Sequence, residues 1–170
     1  MTETRPKSST WFHKTVTGGS LLVVLAVTAA ETDSVVLVDK GTAKATIVTP
    51  AAPSEVVSFA ASQLQRYLKK ISGVTLSIQT GDPQVTGTAI VLGRAKLDEP
   101  RRGLECDSFT VKCEGHRLRL MGNTDRAVLY AVYAFLESLG AAWLEPGEAG
   151  EILPRMQTIV ADRLDLRFKP

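Results

Sequence analysis

The chain of 170 residues carries 20 Lys and Arg against 18 Asp and Glu, a formal net charge of +2, and is 44% hydrophobic. That length suffices for one domain with one core, and that apolar content excludes a disordered chain. Arg5, Lys7, Lys14 and Glu3 lie in the first 30 positions, so 17 residues of each sign remain from residue 31 onward; a body so balanced has no general attraction for nucleic acid or an anionic membrane.

The basic start leads into "SLLVVLAVTAA", residues 20 to 30. A positive flank, an apolar run of about ten residues and small residues at its end form a signal-peptide pattern. Val27 and Ala29, or Thr28 and Ala30, suit the two positions read at a cleavage site. The alternative is a buried strand. The run falls short of the roughly 20 residues that span a bilayer. The expectation is an exported chain, secreted or periplasmic, with no membrane contact once residues 1–30 are removed.

"SVVLVDKGTAKATIVTP" predicts two strands around an Asp39-Lys40-Gly41 turn. A helix follows: Pro53 and Ser54 mark its start, Gly73 its stop, and Val57, Ala61, Leu64, Leu68 and Ile71 form one apolar face. Glu55 at its start and Lys69 and Lys70 at its end suit the helix dipole, and the two lysines read as a solvated helix end. "VTLSIQT" alternates, with Val74, Leu76 and Ile78 on one side, whereas "TAIVLG" is continuously apolar, as in a strand buried on both faces. "SFTVKCEGHRLRLMGN" predicts a hairpin with Phe109, Val111, Cys113, Leu118 and Leu120 inward and Arg117 and Arg119 outward. Cys106 then lies too far along the strand from Cys113 for a disulfide, so two free thiols are expected. The second helix opens at Asn123 or Thr124, runs through "DRAVLYAVYAFLESLG" and stops at Gly140. In the closing stretch Leu164, Leu166 and Phe168 alternate with Arg163, Asp165 and Arg167. Together these elements predict an α+β (mixed α/β) domain, one mixed sheet packed by two main helices.

Chemistry is sparse. The two histidines, His13 and His116, cannot build a zinc site, and His116 sits in a Gly-His-Arg turn. A phosphate-binding glycine loop is missing, so no cofactor or metal is expected. Arg101-Arg102 and Arg117/Arg119 lack interleaved aromatics, which argues against nucleic acid. The one concentration of carboxylates is "LGAAWLEPGEAGEILP", with Glu145, Glu148 and Glu151. Two carboxylates at suitable spacing can hydrolyse glycosides. A catalytic acid, however, needs burial or a close like charge to raise its pKa, and Gly147, Ala149 and Gly150 offer no walls.

Three stretches carry a family likeness. "SFAASQLQRYLKKISGVTLSI" has the form Ala-x-x-Leu-x-x-Tyr-Leu-x-x-Ile-x-Gly; "AIVLGR" follows; and "MGNTDRAVLYAVYAFLESLGAAWLEPGEAGEILP" joins a helix to a Trp-x-x-Pro-Gly-x-x-Gly-x-x-x-Pro tail. Together they resemble the non-catalytic N-terminal domain of bacterial alpha-glucuronidases and the related second domain of beta-N-acetylhexosaminidases, over about residues 35 to 170. Ala127 departs from the glycine usual in the family after Arg126. The resemblance implies a hexosaminidase domain-2-like fold and an accessory role in carbohydrate (xylan) breakdown, with a catalytic barrel as partner and carbohydrate nearby. The family's catalytic carboxylates lie in that barrel, which needs about 250 residues, so no position here inherits them and a chain ending at Pro170 is expected to be inactive alone. The expected boundaries are 1–30 signal, 31–155 domain and 156–170 a strand or linker toward the barrel. Trp143, Glu145, Glu148, Glu151, Leu164, Leu166 and Phe168 are the expected docking surface. Two alternatives stand beside this reading: a free-standing polysaccharide-binding module, and a truncated gene product without function of its own.

Overall fold

The computed structural model describes residues 34–81, 87–97 and 107–169; the expected signal segment and Cys106 lie outside them. Eleven strands and two helices run in the order β1 (Ser34–Asp39), β2 (Thr42–Ala43), β3 (Ala45–Thr49), α1 (Glu55–Ser72), β4 (Ile78–Thr80), β5 (Thr88–Arg94), β6 (Phe109–Glu114), β7 (Arg117–Gly122), α2 (Asp125–Ser138), β8 (Ala142–Trp143), β9 (Glu151–Ile152), β10 (Ile159–Asp162) and β11 (Asp165–Phe168). The main sheet has the order β11-β6-β7-β5-β3-β4. β4, β3, β5 and β7 run parallel, and β6 turns back between β7 and β11. The expected α+β class, a mixed sheet with two helices, is what the chain adopts.

Both helices begin where side-chain oxygens can close their open N–H groups. Ser54 Oγ accepts from the Val57 amide at 3.2 Å. Thr124 Oγ1 accepts from the Ala127 amide at 3.0 Å and donates to Asp107 at 2.6 Å. Gly73, at φ 77°, ends α1 in the left-handed conformation that a side chain would strain. α1 buries Val57, Ala60, Ala61, Leu64, Tyr67, Leu68 and Ile71, the stripe that its spacing predicted.

The helices lie side by side on one face of the main sheet, sharing a core with Ile47, Ile90, Leu92, Val111, Leu118 and Leu120. The start of α2 presses directly onto the end of β7. A Cβ at Gly122 would lie 2.5 Å from the Val128 nitrogen and 2.8 Å from the Ala127 Cβ, so only glycine fits there. The close contact survives with alanine at 127 because the partner residue supplies the space.

Pairing differs from expectation in three places. The Lys40-Gly41 turn joins β1 to the two-residue β2, and β3 then leaves for the main sheet, parallel to β5 rather than hairpinned to β1. "VTLSIQT" is a strand only over its last three residues: Leu76 is fully buried, while Ile78 sits on the edge strand and is exposed. The third difference is larger. β10 pairs with β1 and β11 with β6, so the tail beyond 155 is built into this domain's own sheets rather than forming a linker. Ile159 and Ala161 are each only 1% exposed. A bulge between Val36 and Val38 lets Leu37 and Val38 both face this core. The buried Cys113 thiol donates to the Ala161 carbonyl at 3.4 Å, which places the β10-β1-β2 ribbon on the helix-bearing side of the sheet.

Candidate functional site

α2 ends at Ser138, and past Gly140 the chain turns into the short β8–β9 hairpin, whose tip is tied by the Leu144 amide donating to the Gly150 carbonyl at 2.9 Å. This hairpin folds over the seam between the helices. There Tyr67 of α1, Tyr133 of α2 and Trp143 of β8 meet edge to face, with Trp143 5.2 Å from Tyr67 and 5.0 Å from Tyr133. Trp143 Nε1 donates to the Tyr67 hydroxyl at 3.0 Å, and that hydroxyl donates to Glu151 Oε1 at 3.0 Å. Tyr67 is 4% exposed, so its polar tip needs this acceptor.

Two cations on α1 complete the cluster. Arg66 and Lys70, four residues apart and so on one helix face, reach Glu151 at 2.9 and 2.7 Å. Lys70 also reaches Glu148 at 2.9 Å. The Lys70 ammonium, aided by the Tyr67 hydroxyl and Arg66, holds the Glu151 carboxyl below its ordinary pKa despite the opposing effect of burial. Reciprocally, Glu151 and then Glu148 hold the Lys70 ammonium above its ordinary value. Glu151 is thus an anchor held ionised at neutral pH, the opposite of a poised general acid.

The expected surface residues therefore divide. The Glu151 side chain is 7% exposed; two cations and a buried hydroxyl draw it inward onto α1, where it lines a groove together with Glu145 and Glu148. Glu148, 80% exposed, and Glu145 stand on the outside. Trp143 is half-buried as a wall of the seam. Leu166 and Phe168 stand elsewhere, opposite Val111 and Phe109 in the β11–β6 register, with Phe168 stacked on Phe109 at 5.4 Å. Leu164 packs against the core.

Between α1, α2 and the hairpin lies an open groove of about 680 Å³. Its floor is Tyr67, Tyr133 and Trp143; Phe59, 51% exposed, and Leu144, 77% exposed, stand on its margins. Gln63, Arg66, Glu145 and Glu148 supply the polar edge. Phe59, Gln63 and Arg66 escaped the sequence reading. Phe59, with Val56, was a large apolar residue of α1 off its buried face, and the spacing of Arg66 and Lys70 marked a shared cationic side. Among the described residues no group of three or more His, Cys, Asp or Glu is arranged to hold a metal ion, and no helix is long and apolar enough to cross a membrane.

No family model and no curated protein matches this chain. Solved structures that match part of this chain include an inactive mutant of a GH20 exo-beta-N-acetylglucosaminidase from Vibrio harveyi, at 17% identity and TM-score 0.47, covering 81% of this chain and 17% of that one. Another is a GH138 enzyme targeting pectin rhamnogalacturonan II, at 17% identity and TM-score 0.43, covering 56% of this chain and 13% of that one. Both neighbours are glycoside hydrolases, and this chain spans less than a fifth of either. At these values they assign it neither a family nor an activity.

Proposed function

We propose that the chain is an exported, non-catalytic accessory domain of a carbohydrate-active glycoside hydrolase of the alpha-glucuronidase type, and that it docks a catalytic barrel through the groove between its helices. The observation that carries this reading is the groove itself. Its margins expose Phe59 and Leu144 over an aromatic floor, with Val56 and Tyr130 also exposed on the same helices. Large apolar side chains gathered around a concavity and edged by charge are the make-up of an interface core and rim. The carboxylates beside it support a structural role, since Glu151 is consumed by its ion pairs.

The test mixes the full chain with the isolated catalytic barrel of a bacterial alpha-glucuronidase in a titration calorimeter. Binding is expected, and a Phe59→Ser/Leu144→Ser variant that keeps its fold should lose it. Equal binding by that variant would remove the groove from the interface. Hydrolysis of glucuronosyl, hexosaminyl or xylosyl substrates by the chain alone, abolished in Glu148→Gln, would overturn the non-catalytic reading.

A further inference from the structure

The opposite face of the main sheet holds a second concavity, a trough of about 480 Å³ running along β5 and β7. Its floor is small or aliphatic, from Ala89, Val91, Gly93 and Met121, and Arg94, Arg117 and Arg119 rise from it. Among the described residues its lining contains no carboxylate and no aromatic ring.

The charges here do not cancel. Lys112 and Arg119 both lie 2.8 Å from the single carboxylate of Glu114, and the Arg119 Nε–H, though that close, is not aimed at it. Arg117 is opposite Glu114 in the β6–β7 register, yet Glu114 is already shared by two cations, and Arg117 has no ion pair or hydrogen-bond partner among the described residues. Arg167 and Asp165 of β11 pair with each other at 3.0 Å. Arg94 lies 3.9 Å from Asp125 and donates to the Asn123 carbonyl, so the unmatched positive charge of the trough rests on Arg117 and on the two cations that share Glu114. Arg117 and Arg119, two residues apart on one strand, project on the same side. At about 3.3 Å per residue, the lining from Arg117 to Met121 spans roughly 13 Å of β7, room for an extended ligand of a few units rather than for a single ion.

We propose that this trough binds an acidic polysaccharide, with its carboxylates or sulfates on Arg117 and Arg119 and its chain lying along β7. Charge complementarity selects a polyanion. The bare aliphatic floor disfavours single-stranded nucleic acid, which is held by stacking its bases on aromatic rings, and disfavours neutral sugars for want of a ring to pack on. The choice of a glycan among polyanions rests on the accessory-domain reading above; the charge of the trough does not.

The experiment measures affinity of the full chain for polygalacturonate, dextran sulfate, neutral dextran and a single-stranded DNA oligonucleotide at low and moderate salt. Binding to polygalacturonate or dextran sulfate is expected, the stronger of the two identifying the anionic group, with weakening in salt and none to dextran. Arg117→Gln should lower glycan affinity about tenfold, the loss expected for one charge-assisted contact, and leave the thermal midpoint unchanged because Arg117 has no partner to lose. Arg117→Lys should restore part of the affinity. Unchanged affinity in Arg117→Gln, equal binding of dextran, absence of binding to both acidic glycans, or DNA binding as tight as glycan binding would each overturn the proposal. Arg117→Gln should leave barrel docking intact, and Phe59→Ser/Leu144→Ser should leave glycan binding intact, so either reading can fail without the other.

Discussion

Replacing Glu151 by Ala separates a structural from a catalytic carboxylate. In the folded chain Glu151 accepts from the buried Tyr67 hydroxyl at 3.0 Å and from Arg66 and Lys70 at 2.9 and 2.7 Å. Orphaning a buried hydroxyl costs about 1–3 kcal/mol, toward the lower end here because Trp143 still donates to the same oxygen. The two ion pairs involve partly exposed cations and add about 0–1 kcal/mol each. The expected loss is therefore about 2 kcal/mol at neutral pH. Glu148→Ala removes an 80% exposed group that shares Lys70 with Glu151, and should cost under about 0.5 kcal/mol. Urea unfolding of the two variants, followed by tryptophan fluorescence, measures both. The sign of the pH dependence follows from the depressed pKa of Glu151. Its ionic contribution is fully present above the unfolded value of 4.5 and is lost as pH falls through the lower folded value. The gap between the native chain and Glu151→Gln should accordingly be widest near neutrality and close under acid conditions. Equal destabilisation by Glu148→Ala and Glu151→Ala, or a gap that widens in acid, would refute the anchor.

Four further outcomes are expected. Gly122→Ala forces the start of α2 off the end of β7 and should lose about 1–3 kcal/mol in chemical denaturation. Leu136→Ala, at a fully buried site on α2, should lose about 2–5 kcal/mol; a loss below about 1 kcal/mol would mean the helix is not packed as described. A chain ending at Arg155 should scatter more light than the full chain at equal concentration, because removing β10 and β11 opens the edges of β1 and β6. This reverses what an unpartnered closing strand would predict. Export with cleavage near Ala29 or Ala30 should give a mature N-terminus there by mass spectrometry, and an intact Met1 in the exported protein would contradict it.

The sequence by itself determined what depends on neighbours a few residues apart. Ser54 and Gly73 bounded α1, and Asn123 or Thr124 marked the start of α2, of which the structure uses Thr124, because caps act on amides and carbonyls of the same turn. The three- and four-residue spacing of Val57, Ala61, Leu64, Leu68 and Ile71 set the buried face, and the alternation through Cys113 and Leu118 set the β6–β7 hairpin. Tertiary structure alone decided whatever joins distant segments. Nothing local announces that β3 runs parallel to β5, or that β10 and β11 close two sheets, because strand partners are chosen by the shared core and not by the strand's own pattern. The three glutamates show the same division. Their crowding on a Gly/Pro loop was legible, but their roles were not, since those depend on Arg66, Tyr67 and Lys70 lying some 80 positions earlier in the chain. Folding brings that helix face under the hairpin, drawing Glu151 in and leaving Glu145 and Glu148 outside.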